Sequence, residues 1–175
     1  MEAKKVLETF LFWYNQNVMT NKNPERKTIF TNKKALHNYH ILEDYETGIV
    51  LSGYEVKSAR LHNVSLTDSL VRITNGEAFL ENAYIAPYSQ ISTHIQDYNA
   101  KRLRKLLLHK KEITKLASKV KEKGLTIVPL ELYVSKYGKI KLSIGLAKGK
   151  TTYDKKELLK KKDIEREMQK SLRDF

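Results

Sequence analysis

The chain predicts a mainly β fold: a small closed β-barrel of the OB-fold kind, with about six strands and two or three short helices. A tail that becomes helical only against a partner follows it. Three features carry this reading. Lys139–Ala147, KIKLSIGLA, places Ile140, Leu142, Ile144 and Leu146 on one face with the two-residue period of a half-buried strand. Asn75-Gly76 separates two further strand-like runs and supplies the two positive-φ positions of a tight hairpin. Beyond Ala147 the chain reads KGKTTYDKKELLKKKDIEREMQKSLRDF, with too few apolar residues to build a core. Short strands, uneven loops and one capping helix favour a closed barrel over a sandwich.

Residues 1–18 hold the sole Trp (Trp13) in an aromatic cluster unlike the rest, and Met19 opens a basic lead-in. They are either a short amphipathic helix for a partner or, the reading preferred here, the product of a start assigned upstream of Met19. Residues 1–31 are thus expected to be a flexible extension, 32–148 the folded domain and 149–175 a basic tail, disordered when free. Strands are expected at about Asn38–Asp44 and Gly48–Gly53, around a turn at Glu46-Thr47-Gly48. Glu55–Leu61 fits two helical turns with Val56 and Ala59 inward and Lys57, Ser58 and Arg60 outward. Ser69–Thr74 and Glu77–Asn82 form the Asn75-Gly76 hairpin, and Pro87 to Ala100 reads as loop and short strand. Glu112, three residues after His109, suggests a capping box for a helix from about Lys110 to Lys123. Ile113, Leu116, Ala117 and Val120 form its apolar stripe and Gly124 stops it. Thr126–Val134 and Lys139–Ala147, joined by a turn at Tyr137-Gly138, close the domain.

A formal net charge of +13 over 175 residues points to a nucleic-acid or acidic-membrane partner. Cysteine is absent, which removes disulfides, zinc knuckles and thiol nucleophiles and fits a reducing cytoplasm. Val6–Tyr14 is interrupted by Glu8 and Thr9 and falls short of the roughly 20 residues a membrane span needs. The histidines (His37, His40, His62, His94, His109) lack metal-ligand spacing, and no phosphate loop or nucleophile motif is present, so neither cofactor nor metal is expected. A histidine-dependent ribonuclease is the enzymatic alternative, since acid–base pairs need not be adjacent in sequence.

Lys101, Arg102, Arg104 and Lys105 put four cations in five residues, which repel one another until a counter-charge arrives, and phosphate is one that would serve. Lys110, Lys111, Lys115, Lys119, Lys121 and Lys123 decorate the helix beyond, where a solvated face explains them equally well. Asn32, Lys33 and Lys34 with His37 and Tyr39 form a second surface: amide and ammonium groups for phosphate or sugar, rings for unstacked bases. Tyr39 fits a place in the barrel wall as well. Glu46 would accept from base amino groups, brace a basic neighbour, or serve as a plain turn carboxylate.

These blocks resemble the SsrA-binding protein family (small protein B, the bacterial tmRNA partner): NKKALHNYHI (Asn32–Ile41), ETGIVLSGYEVKSAR (Glu46–Arg60), GEAFL (Gly76–Leu80), RKLLLHKKEI (Arg104–Ile113), PLELYVSKYGKIKLSIGLAKGK (Pro129–Lys150) and DKKE (Asp154–Glu157). The resemblance implies an OB-fold barrel that binds the tRNA-like domain of tmRNA and, with elongation factor Tu, delivers its alanylated form to stalled ribosomes. It implies that Asn32, Lys33, His37, Tyr39 and Glu46, with Arg104 and Lys105, lie in the tmRNA-facing region. It places Gly149, Lys150, Asp154, Lys155 and Lys156 where the family contacts the ribosome. It also implies a tail that enters the decoding centre and mRNA channel and becomes helical there. The chain departs from the family at Thr151, where a second basic residue is usual, and at Lys156, where lysine keeps the charge of the usual arginine but loses its bidentate fork. Tyr153, just before that motif, could stack on an rRNA base.

The tail's own residues fit that behaviour. Leu158, Ile164, Met168 and Leu172 give only a thin stripe, while Glu157 with Lys161 and Glu165 with Lys161 or Gln169 support a conditional helix. A permanently disordered solubility tail is the alternative. Without tRNA-like specificity, the domain would be a generic single-stranded RNA binder.

Overall fold

The computed structural model describes residues 26–88, 98–152 and 154. Nine strands and three helices occur among them: β1 (Lys27–Thr31), α1 (Lys33–Asn38), β2 (Tyr39–Ile49), α2 (Gly53–Arg60), β3 (Val64–Ser65), β4 (Leu70–Thr74), β5 (Glu77–Glu81), β6 (Tyr84–Ile85), β7 (Arg104–Leu107), α3 (Lys110–Lys123), β8 (Thr126–Val134) and β9 (Ile140–Gly149). The fold is mainly β. Antiparallel pairings run β8–β4–β5–β7–β2–β9, and β9 pairs back onto β8, so six strands close a ring while β1 pairs with Glu131–Val134 of β8, beyond the β4 contact at Ile127. β3 and β6 form a separate ribbon.

Local chemistry accounts for the parts that match the sequence reading. Asn75 and Gly76 adopt φ of 52° and 72°, the double left-handed turn that joins β4 to β5. His109 N–H donates to Glu112 at 2.9 Å at the start of α3, and Gly124 leaves that helix at φ 58°. Leu116 is fully buried on the inward face of α3; covering a leucine of this kind stabilises by about 1.5–3 kcal/mol.

The core fills the ring with Val71, Ala78, Leu80, Leu106, Ile127, Leu132, Leu142, Ile144 and Leu146. A smaller cluster of Ala35, Ile41, Val128, Leu130 and Ala147 lies outside it, where α1 packs against the sheet. β9 is therefore half-buried from Ile140 to Ser143, as its period predicts, and covered on both faces from Ile144 to Ala147. Gly145 suits the outer face because an added Cβ would lie 2.9 Å from Ile41 Cγ2.

Several expectations change. The turn foreseen at Glu46–Gly48 is absent: β2 runs unbroken to Ile49, with Glu46 opposite Ser143 and Gly48 opposite both Lys141 and Leu107. Gly48 serves packing, since a Cβ there would sit 3.3 Å from Leu107 Cβ. Ser58, expected outward, is buried and donates to Ala86 O at 2.7 Å. Residues 27–31, read as part of an extension, form β1, and Arg104–Leu107, read as a charged lead to the helix, form β7. Residues 1–18 and 89–97 lie outside the described residues. No helix among those described is long and apolar enough to cross a membrane.

Candidate nucleic-acid interface

Asn32 organises the first surface from beneath. Its side chain caps α1 by accepting from Ala35 N–H at 3.0 Å and donates to Leu66 O and Pro129 O at 2.9 and 3.0 Å. Pro129 has no N–H and sits beside a register shift in β8, and its carbonyl is met by Asn32. Asn32 is buried, and it reaches this surface only as part of the lining of the cleft between α1 and β8. Lys33 and Lys34 are exposed on α1 above it, and Lys34 Nζ pairs with Asp68 at 2.7 Å. Both partners of that pair are largely exposed, so it is worth only about 0–1 kcal/mol and a phosphate can replace the carboxylate. Tyr39 and Asn38 line a cleft of ≈ 160 Å³ with Lys34, Asp68 and Val128. His37 stands in the last turn of α1, with Nδ1 3.2 Å from Asn38 Oδ1. Asn32, Lys33, Lys34, His37 and Tyr39 thus come together at the α1–β2 joint.

Glu46 belongs to a different cluster, in mid-strand. It accepts from Tyr133 OH and pairs with Lys141. Lys141 above all, then Tyr133, holds its carboxyl below the usual range. The geometry is that of an acid bracing a basic neighbour, and the turn alternative does not hold. Arg26 covers the Tyr133 ring at 4.8 Å and pairs with Glu131 at 3.0 Å. Beside this cluster Ile49, Leu51, Val56, Leu107 and Ile140, with Lys139 and Lys141, line a groove of ≈ 320 Å³. Leu107 is 58% exposed there. Sequence reading missed Tyr133 and Lys141, which only the β8–β9–β2 pairing brings to Glu46, and Leu107, which the β2–β7 pairing sets against Gly48.

Three of the four clustered cations find a counter-charge within the chain itself. Glu55 is fully buried and takes Arg104 at 2.9 Å together with Arg102. Arg104 donates further to Ala83 O at 2.6 Å and Ala100 O at 2.8 Å. Its side chain is 0% exposed, so the expectation that Arg104 faces RNA does not hold: it is part of the core's polar network. Lys105 is exposed and paired with Glu77. Lys101, Lys110, Lys111 and Lys121 remain at the surface.

On α3, Lys119 and the more exposed Lys115 both pair with Glu43, which also accepts from Tyr45 OH at 2.6 Å. Lys119 first, then Tyr45, lowers the Glu43 carboxyl from 4.5 to about 2. A lowered carboxyl stabilises the fold above its unfolded value, and that contribution disappears as pH falls through about 2. A side-chain carboxyl NMR titration is expected to place Glu43 near that value, and Lys119→Met to move it back toward the ordinary range.

The tail leaves from the first surface. β9 ends opposite Tyr39 at Gly149, and Lys150 N–H donates to Asn38 O at 2.9 Å. Asp154 accepts from Thr151 N–H at 2.9 Å and from its hydroxyl at 2.8 Å. Tyr153, Lys155 and Lys156 lie outside the described residues.

The SmpB protein family model matches residues 29–174. The chain belongs to that family. An SsrA-binding protein from Sulfurihydrogenibium sp. (strain YO3AOP1) is 58% identical over 147 residues, 84% of this chain and 95% of that protein. One from Persephonella marina (strain DSM 14350 / EX-H1) is 56% identical over 144 residues, 82% of this chain and 93% of the relative. A solved structure described as "tmRNA-SmpB: a journey to the center of the bacterial ribosome" contains a chain 47% identical to this one. That chain aligns with a TM-score of 0.59 over 74% of this chain and 93% of its own length. Apart from Arg26, both surfaces and the start of the tail lie within the stretch that the SmpB family model covers.

Proposed function

We propose that this chain binds the tRNA-like domain of tmRNA and carries it to stalled ribosomes for trans-translation, as an adaptor without catalysis of its own. The observation that carries the reading is membership of the SmpB family, with relatives named for SsrA binding at 56–58% identity over most of the chain. The surfaces supply a fitting chemistry. Lys33, Lys34 and Lys105 offer cations to phosphate, His37 and Tyr39 offer rings to unstacked bases, and Glu46 presents Lys141 from a fixed position. Asn32 and Arg104 take part as supports beneath. The six-strand ring serves as the OB-type barrel that displays these groups.

The tail, residues 149–175, enters the small-subunit decoding centre and orders against rRNA there, with Gly149, Lys150, Tyr153, Asp154, Lys155 and Lys156 at its root. Elongation factor Tu joins through alanylated tmRNA, and the setting is the cytoplasm. The test is reconstituted translation of a message lacking a stop codon, with alanyl-tmRNA and elongation factor Tu supplied. Nascent-chain tagging should depend on addition of this chain. Equal tagging without it would remove the adaptor role.

A further inference from the structure

The strand that ends the body is not released abruptly into the tail. Lys150 N–H holds Asn38 O at 2.9 Å and its Nζ reaches Leu36 O at 2.8 Å, so the chain after β9 is tied to the C-terminal end of α1. A cation is well placed there, against carbonyls that the helix leaves open. Thr151 and Asp154 then form a reciprocal cap: the carboxylate accepts from Thr151 N–H and hydroxyl, and Asp154 N–H donates to Thr151 Oγ1 at 3.2 Å. This is the arrangement that starts a helix.

The same carboxylate lies 3.6 Å from His40 Nε2. His40 stands on β2 opposite Lys148 of β9, beside the α1–β2 joint. Its Nδ1 is buried and has no hydrogen-bond partner among the described residues. The ring is therefore left with Nε2 as its polar contact, and that atom faces the cap. An imidazole buried at one nitrogen and set against a capping carboxylate at the other is poorly explained by packing alone, since an apolar ring would avoid the orphaned nitrogen.

We propose that His40 is a positioning residue for the tail: through Asp154 it fixes the first turn after β9 on the α1–β2 joint. The RNA-facing surface and the tail's direction of departure then move as one unit. This rests on the adaptor reading above and adds to it a residue outside the cation and aromatic set.

The test uses the full chain and the variants His40→Phe, His40→Gln, Asp154→Asn and the double His40→Phe/Asp154→Asn. Affinity for an isolated tRNA-like domain of tmRNA, unfolding midpoint and single-turnover tagging rate are measured on each. His40→Phe should bind the RNA domain within about twofold of the parent yet tag about five- to tenfold more slowly, with the double variant no slower than the slower single. His40→Gln, which keeps an N–H donor, should recover most of the rate. A rate unchanged in His40→Phe, or a double variant slowed by the product of the two singles, would overturn the proposal. Amide exchange at Asp154 separates this from failure of the adaptor reading. It should accelerate in His40→Phe and recover in His40→Gln even if the parent bound no tmRNA, and unchanged exchange would refute the positioning role.

Discussion

Glu55→Leu is expected to destabilise the protein by about 3–5 kcal/mol, because it leaves Arg104 charged and buried without its carboxylate. Arg104 has no route to solvent: its side chain is 0% exposed, and its remaining bonds go to the carbonyls of Ala83, Ala100 and Arg102. Arg102 loses its partner at the same time. In a chain of this size the loss corresponds to roughly 10 °C in unfolding midpoint. The pH dependence carries a defined sign. Burial alone would raise the Glu55 carboxyl, but hydrogen bonds from Arg102 and Ser52 N–H and the charges of Arg104 and Arg102 outweigh it and hold the group below its ordinary range. Its stabilisation is therefore complete above the unfolded value of about 4.3 and declines as pH falls through the lower folded value. Urea unfolding at pH 7 and at successively lower pH should show the gap between parent and Glu55→Leu narrowing on the acid side. An equal gap throughout would mean that the buried pair does not set the difference.

Ending the chain after Lys150 is expected to abolish tagging while leaving affinity for the tRNA-like domain nearly intact. The charge balance gives the reason. Residues 151–175 carry eight Lys and Arg against six Asp and Glu, a net of +2 out of the chain's +13. The body therefore holds most of the field that attracts RNA, and removing the tail costs little counterion release. What the tail supplies is local: the Lys160–Lys162 run, the thin stripe of Leu158, Ile164, Met168 and Leu172, and a capped first turn at Thr151 and Asp154. Binding assays and the reconstituted tagging reaction on the same truncated protein separate the two roles. A truncated protein that tags at the parental rate would remove the tail from the mechanism.

The elements that could be read from sequence are those whose cause is local. Asn75-Gly76 requires positive φ wherever it stands between strands, α3 carries both its cap and its stop, and β9 shows its period. The elements that could not be read depend on distant partners. Thr47-Gly48 has the composition of a turn, yet Gly48 is small because Leu107 crosses it. β7 has the composition of an RNA-binding patch, yet two of its neighbourhood's arginines are neutralised by a glutamate on α2. The same limit applies at the site. Lys33, His37 and Tyr39 were legible as a surface because α1 and β2 are adjacent in sequence, whereas the Glu46–Lys141–Tyr133 cluster and the His40–Asp154 contact exist only once β9 lies against β2 and β8.

The most direct test of the adaptor reading is equilibrium binding of the full chain to an isolated tmRNA tRNA-like domain. Elongator tRNA and an equal length of unstructured RNA serve as competitors, each at two salt concentrations. Tight binding that survives both competitors is expected, with a salt slope that the body's cations explain. Equal displacement by either competitor, with affinity collapsing as salt rises, would contradict it and leave a nonspecific polyanion binder.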